Sequence, residues 1–209
     1  MIVQEIVNLA RYSELGNTSL KQVNDENTAA ILSFINMGMV ELHKRFILET
    51  KEFIVELDAG QTMYDLPSDF MHAVTAYKEV PENTGDRHEE IPINDEYELE
   101  SIFFPNHKQV QVPFVGDDAY IAIIYNAKPV PITIADINEE LDLPEVLIDC
   151  LLHYIGYRGH LGIRGDGQAE NNTHYLRFER SVAKAKELGV GVSTDSNRMI
   201  YRISDRGFV

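Results

Sequence analysis

The chain has 209 residues, of which 44% are hydrophobic, and its formal net charge is -16 at pH 7. This length and composition allow a sizeable core without covalent or metal cross-links, and the single cysteine, Cys150, excludes an internal disulfide or a cysteine-based zinc cage. The negative charge disfavours attraction to nucleic-acid phosphates. It either serves solubility or provides a surface that lets DNA pass without holding it.

The N-terminus has no basic region followed by an apolar stretch, so we expect no signal peptide. The longest apolar runs, such as residues 119–125, are much shorter than the roughly 20 residues of a membrane-spanning helix. The sequence therefore predicts no membrane association.

Residues 1–50 have the apolar spacing of helices. Gly16-Asn17 is a predicted stop, and a second helix is predicted to begin near Asp25–Asn27. Gly38 inside that helix costs up to about 1 kcal/mol in propensity, so we expect a close helix crossing there. The predicted apolar positions are Ile2, Ile6, Leu9 and Ala10 in the first helix, and Ile31, Ile35, Met39, Leu42 and Phe46 in the second.

Residues 51–135 change to strand patterns separated by turn signals. Residues 108–112 alternate with period two, which predicts one buried and one exposed face. Residues 119–125 are apolar on both faces and are the predicted central strand, ended by Pro129 and Pro131. Residues 81–90 are a predicted polar loop. The predicted strands are 53–57, 61–64, 73–77, 108–112 and 119–125.

Residues 136–188 return to helical spacing. Pro144 stands at the predicted first position of the third helix, where its missing N–H costs nothing. Gly156 and Gly159 are expected to loosen the chain beyond it, and a last helix is predicted from about Asn171 to Leu188. The apolar positions are Val146, Leu147, Cys150, Leu151, Tyr154 and Ile155 in the third helix, and Tyr175, Phe178, Val182 and Ala185 in the fourth.

Residues 190–209 form a polar tail that contains a short apolar run, Met199–Ile203. The tail has three arginines against two aspartates, so it carries +1 and the rest of the chain -17. Such a segment has little core of its own and is expected to need a partner. Together the segments predict an α+β fold. It comprises a four-helix bundle-like domain (1–50 and 136–188), an inserted antiparallel β domain (51–135) and an extended C-terminal tail (190–209).

The common catalytic and nucleotide-binding motifs are missing from the sequence. There is no glycine-rich loop ending in Lys-Ser/Thr, no G-x-G-x-x-G after a strand, no G-x-S-x-G and no H-E-x-x-H. Glu139, Glu140 and Asp142 precede the Pro144 helix, where acids favour a helix N-terminus. We therefore expect no catalytic site and no cofactor.

Two groups of residues carry side chains of the kinds that ligate metals. His153 and His160 lie two turns apart if the third helix persists, and His174 follows the intervening loop. Asp166, Glu170 and Asn171 could ligate calcium, but their spacing does not match an EF-hand. Partly exposed histidines at a helix end are the preferred interpretation, and no metal is expected.

Three stretches resemble the head-to-tail adaptor (connector, tail tubular or tail accessory) proteins of tailed bacteriophages. Gln61–Phe70 followed by Val74–Tyr77 is similar to that family's strand–"Y-x-L-P-x-D"–strand element. Residues 124–129, with Leu141-Asp-Leu-Pro144 leading into 151–155, are similar to its "Y-x-x-x-P … L-P" run into the third helix. His174–Phe178 is similar to the start of its fourth helix, and the resemblance covers about residues 1–188.

The resemblance implies a virion structural protein of the neck or tail, made in the host cytoplasm. It implies a ring, usually of twelve copies, whose helical bundle surrounds a channel through which DNA passes without specific binding. The β insertion would face outward or toward the next tail component, a tail tube, nozzle or tail-hub protein. The tail would reach the portal protein through Arg198, Met199, Ile200, Tyr201, Arg202, Ile203 and Phe208.

Two other functions are left open by the residues. An acidic host-interaction protein or DNA mimic would be a monomer or dimer with its acids spaced like phosphates. A hydrolase using Glu139, Glu140 and Asp142 would need a pocket with at least one carboxyl of perturbed pKa.

Overall fold

A computed structural model describes residues 1–79, 89–113, 120–164 and 173–190. Asp166, Glu170 and Asn171, most of the predicted polar loop and the seven tail residues predicted to bind a portal lie outside these ranges. The described residues form two compact units, a helical unit of Met1–Phe46 with the residues from Val130 onward, and a β unit of Ile47–Pro129. The predicted α+β class is confirmed.

In the helical unit, the part of the chain that the structure describes forms four α-helices and several short 3₁₀- or π-helical turns. Helix α1 continues directly into a π-helical turn at Ala10–Glu14. The N–H of Val3 donates to the carbonyl of Glu139 at 2.9 Å, so the start of α1 is held by the segment before α3. The helices are α1 (Val3–Leu9), α2 (Asp25–Arg45), α3 (Ile148–Arg164) and α4 (Thr173–Glu187).

Helix α2 begins and ends where its sequence favours it. The side chain of Asn24 accepts the N–H of Asn27 at 2.7 Å, so Asn24 is the N-cap and the predicted cap at Asp25–Asn27 was one residue late. At the other end Arg45 forms an ion pair with Glu179 of α4 at 2.9 Å, and its guanidinium lies over the Phe178 ring. The hydrogen bond from Arg45 lowers the pKa of Glu179.

The predicted close crossing at Gly38 is confirmed. A Cβ at this position would lie 2.5 Å from Cδ1 of Leu151 and 3.1 Å from Cδ1 of Tyr154. Both residues belong to α3, so α2 and α3 approach each other at Gly38 so closely that a larger residue would have to displace the Leu151 side chain. The packing contact offsets the cost in helix propensity.

The expected loosening at Gly156 and Gly159 is wrong, because α3 runs without a break to Arg164. A Cβ on Gly159 would collide with the side chain of Leu15, which is fully buried. These glycines therefore allow close packing against the N-terminal segment rather than ending the helix.

Three smaller predictions about the helices are also corrected. Leu9 and Val146 were placed on apolar faces, but both are exposed, since each falls where its helix turns toward solvent. Pro144 is not the first helical residue. It precedes a 3₁₀ turn at Glu145–Leu147, which then leads into α3.

The described residues of the β unit form seven strands in two antiparallel sheets. The four-stranded sheet has the order β1-β7-β3-β4 and the three-stranded sheet the order β2-β6-β5. Strands β4 and β5 were not predicted, and β4 begins at Glu89, which the sequence placed at the end of the polar loop 81–90. The strands are β1 (Thr50–Glu56), β2 (Met63–Asp65), β3 (Phe70–Glu79), β4 (Glu89–Ile91), β5 (Phe103–Asn106), β6 (Gln109–Gln111) and β7 (Tyr120–Ala127).

Strand β7 is the central strand that the sequence predicted. It pairs with β1 on one side and β3 on the other, and Ile121, Ala122 and Ile123 are buried in succession on both faces. Val110 of β6 is fully buried between the half-buried Gln109 and Gln111, which confirms the predicted alternation. Inward residues of both sheets form one core, in which Val55, Tyr64, Ile102 and Ile121 take part.

Replacing Gly38 by leucine tests the helix crossing. We expect Gly38→Leu to lower the free energy of unfolding by about 1–3 kcal/mol, since the added atoms must displace Leu151 and Tyr154. Urea unfolding followed by circular dichroism measures this. Ser33→Leu, at an exposed position of the same helix, is the control and should change stability by less than about 0.5 kcal/mol. Equal stability of the two variants would contradict the crossing.

Candidate functional site

The described residues hold no cluster of three potential metal ligands from histidine, cysteine, aspartate or glutamate. His153 lies apart from the other two histidines, with Nδ1 3.4 Å from the hydroxyl of Ser181. Glu139, Glu140 and Asp142 are all exposed on the surface. Within the described part of the chain no helix is long and apolar enough to cross a membrane.

His160 and His174 come together in a half-buried polar cluster with Glu14. Their rings stack with centroids 4.5 Å apart. Nδ1 of His174 lies 3.0 Å from a carboxylate oxygen of Glu14, and Nε2 of His160 lies 3.0 Å from the Glu14 carbonyl oxygen. Burial and the neighbouring His160 lower the pKa of His174. The cluster joins the π-helical turn to α3 and α4, so its contacts are structural.

The largest exposed apolar side chains of the β unit stand on one short loop. Tyr97 and Leu99 are 97% and 93% exposed, and they alternate with the acids of the sequence Asp95-Glu-Tyr-Glu-Leu-Glu100. Isolated exposed apolar residues are common, but two large apolar side chains that are almost fully exposed on one loop are typical of a contact surface. We call residues 95–100 the acidic-apolar loop. This loop was not predicted from the sequence, because it matches no motif.

Hydrogen bonds at its base hold the acidic-apolar loop in one conformation. The hydroxyl of Ser101, which is fully buried, accepts the N–H of Asp95 at 2.9 Å. The carboxylate of Asp95 accepts the N–H of Tyr97 at 3.0 Å, and the N–H of Asn94 donates to the carbonyl of Ile102 at 2.8 Å. Because these hydrogen bonds already order the loop, little conformational entropy would be lost when a partner binds Tyr97 and Leu99.

Asp69 ties together three segments of the β unit. Its carboxylate pairs with the ammonium of Lys51 on β1 at 2.7 Å and accepts the hydroxyl of Tyr125 on β7 at 3.0 Å. Its carbonyl accepts the N–H of Lys128 at 2.7 Å. The hydrogen bond from Lys51 lowers the pKa of Asp69, against the opposing effect of burial. Asp69 is the aspartate of the Leu66-Pro-Ser-Asp69 stretch.

Comparison with protein families matches the chain to one model, described as SU10 adaptor protein, over residues 4–200. The chain belongs to this family of phage head-to-tail adaptors. The resemblance read from the sequence is thereby confirmed, and the match includes the stretches at Asp69, Pro144 and His174 that suggested it. No curated protein matches the chain.

Membership of the adaptor family gives the chain a phage structural role and a place in the virion, associated with portal and tail components. An adaptor family is not a class of enzymes. Of the seven predicted portal-binding residues, Arg198, Met199 and Ile200 fall inside the matched range. The other four, Tyr201, Arg202, Ile203 and Phe208, follow it.

Replacing Asp69 by asparagine tests its role in the β unit. Because the pKa of Asp69 is below its ordinary value, the carboxylate contributes stability above the ordinary value of about 3.9 and loses it as the pH falls through the pKa in the folded state. Asp69→Asn should therefore be less stable than the unmodified chain at pH 7, and the difference should shrink below about pH 4.

Urea unfolding at a series of pH values between 7 and 3 measures this difference. Asp58→Asn is the matched control, since Asp58 is exposed in the same unit and only its backbone forms hydrogen bonds. A difference for Asp69→Asn that stays constant with pH would contradict the role of its charge.

Proposed function

We propose that this adaptor forms a closed ring, the twelve-copy ring implied by the family resemblance, that docks on the portal and extends the DNA channel. The match to the adaptor family over residues 4–200 carries this proposal. The compact helical and β units would correspond to the predicted bundle domain and its inserted β domain. The net charge of -16 supports a channel wall that repels DNA in transit.

We propose that the helices form a four-helix bundle-like domain that lines the channel. Helix α3 supports this, since it contacts α2 through Gly38 and Leu151, and the rings of Tyr157 on α3 and Tyr175 on α4 lie 5.1 Å apart. A rigid packing of this kind suits a wall that must hold its diameter while DNA moves past.

The extended tail of residues 190–209 is the proposed portal-docking segment. Its apolar run can add as a strand to a partner sheet or fill a groove between portal subunits, and its arginines can pair with acidic portal residues. Among the described residues, the buried core residues all lie before residue 190, and we expect both units to stay folded when the tail is removed.

Native mass spectrometry of the chain mixed with portal protein tests docking. We expect a stoichiometric complex with many copies of the chain, and we expect deletion of residues 190–209 to abolish it while the circular dichroism spectrum keeps its shape. A chain that stays monomeric beside portal would overturn the ring. Unfolding of the truncated chain would show instead that the tail belongs to the core.

We further propose that the β unit contacts the next tail component, a tail tube, nozzle or tail-hub protein, through the acidic-apolar loop. Tyr97 and Leu99 are the most exposed large apolar residues described in the chain, and the four acids around them favour a partner surface with basic residues around an apolar pocket.

Replacing Tyr97 and Leu99 by alanine tests this contact. The double variant should bind portal normally but attach the next tail component at least about 10-fold more weakly, because exposed tyrosines in such positions often dominate an interface. Quantitative pull-down of the purified tail component onto portal-bound adaptor measures it. Val23→Ala with Leu188→Ala, both exposed in the helical unit, is the control. Unchanged attachment would exclude the loop.

A further inference from the structure

Strand β1 has a free edge. It pairs with β7 along its whole length, from Thr50 opposite Asn126 to Glu56 opposite Tyr120, and in the described part of the chain no strand lies on its other side. Antiparallel pairing uses only alternate N–H and C=O groups of a strand, so the remaining ones along this edge point away from the sheet. Seven residues without proline or glycine are long enough to accept an added strand.

The side chains of β1 present a defined pattern beside this edge. Glu52, Ile54 and Glu56 are exposed on one face, whereas Val55 on the other face is buried in the core. Ile54 is 49% exposed and is in register with Ala122 of β7, which is in register with Tyr77 of β3. An apolar row therefore crosses the sheet and stops at Ile54, with an acid on each side of its end.

One segment of this same chain has the complementary pattern. In residues 198–203 the alternate positions Arg198, Ile200 and Arg202 read base, apolar, base. Side chains at alternate positions of a strand share a face, and opposite charges directly across two strands attract. The segment also has no proline or glycine, and it lies in the part of the chain that carries a net positive charge.

We propose that the free edge of β1 binds residues 198–203 of a second copy of the chain as an added strand, with Ile200 beside Ile54. This is the register that places both arginines opposite both glutamates and extends the apolar row by one residue. The base–apolar–base pattern of residues 198–203 is the same read in either direction. It therefore specifies which face of the added strand meets β1 and in which register, but both a parallel and an antiparallel strand match it.

The proposal rests on the proposed function in one respect, that the same segment also docks on the portal. The edge of β1 and the portal then compete for residues 198–203. Before portal is present the copies hold one another's tails, which covers an open sheet edge and an apolar segment that would otherwise promote aggregation. Docking on the portal releases the tail from β1.

Disulfide trapping between two tagged copies tests the contact. One copy carries Ile54→Cys and the other Ile200→Cys, and the mixture is oxidised mildly. We expect a disulfide-linked dimer carrying both tags, because directly opposite residues of neighbouring strands bring their Cβ atoms within disulfide reach. Met199→Cys in place of Ile200→Cys is the matched control, since it would lie on the other face and should give at least about 10-fold less product. The natural Cys150 is buried, and the chain without added cysteines reports its background.

A charge exchange gives an independent measurement. Glu52→Lys with Glu56→Lys in the first copy should reduce the trapped dimer at least about 10-fold, and Arg198→Glu with Arg202→Glu in the second copy should restore it. Equal trapping at Met199 and Ile200, or no restoration by the exchange, would overturn the proposal.

Addition of portal separates this proposal from the proposed function. Loss of the trapped dimer on adding portal before oxidation supports both. A dimer unchanged by portal leaves the strand contact standing and removes docking through residues 198–203. Absence of the dimer together with portal binding that depends on these residues overturns the strand contact and leaves the proposed function intact.

Discussion

Helix α3 is the element on which the helical unit depends, because α2, the N-terminal segment and α4 all pack against it. Two of these contacts are made at glycine. At Gly38 the crossing helix brings Cδ1 of Leu151 within 2.5 Å of where a Cβ would stand, and at Gly159 the side chain of Leu15 occupies that place. Close approach increases the dispersion contacts on both sides, and packed interiors respond to even one added methylene. The packing of α3 against α2 and against the N-terminal segment therefore depends on two positions without side chains.

The β unit can be inserted into the helical unit because its two ends leave from neighbouring strands. β1 begins just after α2, and β7 ends just before the chain returns to the helical unit. The N–H of Ala127 donates to the carbonyl of Glu49 at 2.8 Å, so the entering and leaving segments are hydrogen-bonded to each other. Asp69 strengthens the same region through Lys51 of β1 and Tyr125 of β7.

The sequence predicts those elements whose signals are local. The N-terminal polar residues and apolar stripe of α2, the double-sided apolar run of β7 and the alternation in β6 depend only on neighbours in the chain, and all three are confirmed. The prediction for the glycines of α3 was wrong because their role depends on what packs against them, which is Leu15 at Gly159 and Glu14 with His174 at Gly156, all distant in sequence. The acidic-apolar loop was missed for a related reason, since an exposed tyrosine on a rigid loop has no sequence signature. The tail residues were proposed from composition and resemblance, and they stay a prediction.

An adaptor acts through surfaces, and the residues of a surface are understood only together with the surface they meet. The edge strand β1 illustrates this with Glu52, Ile54 and Glu56. Considered without a partner, these residues are typical of a protected sheet edge, on which acids disfavour pairing with other strands. The same acids favour a strand that carries bases at the same spacing, so one pattern rejects most strands and accepts a few. The chain has 18 basic residues against 34 acidic ones, and most strands taken from it would place like charges beside β1. Residues 198–203 differ because Arg198 and Arg202 fall on the same face of a strand and no acid lies between them. This is the physical reason that the edge could select this segment.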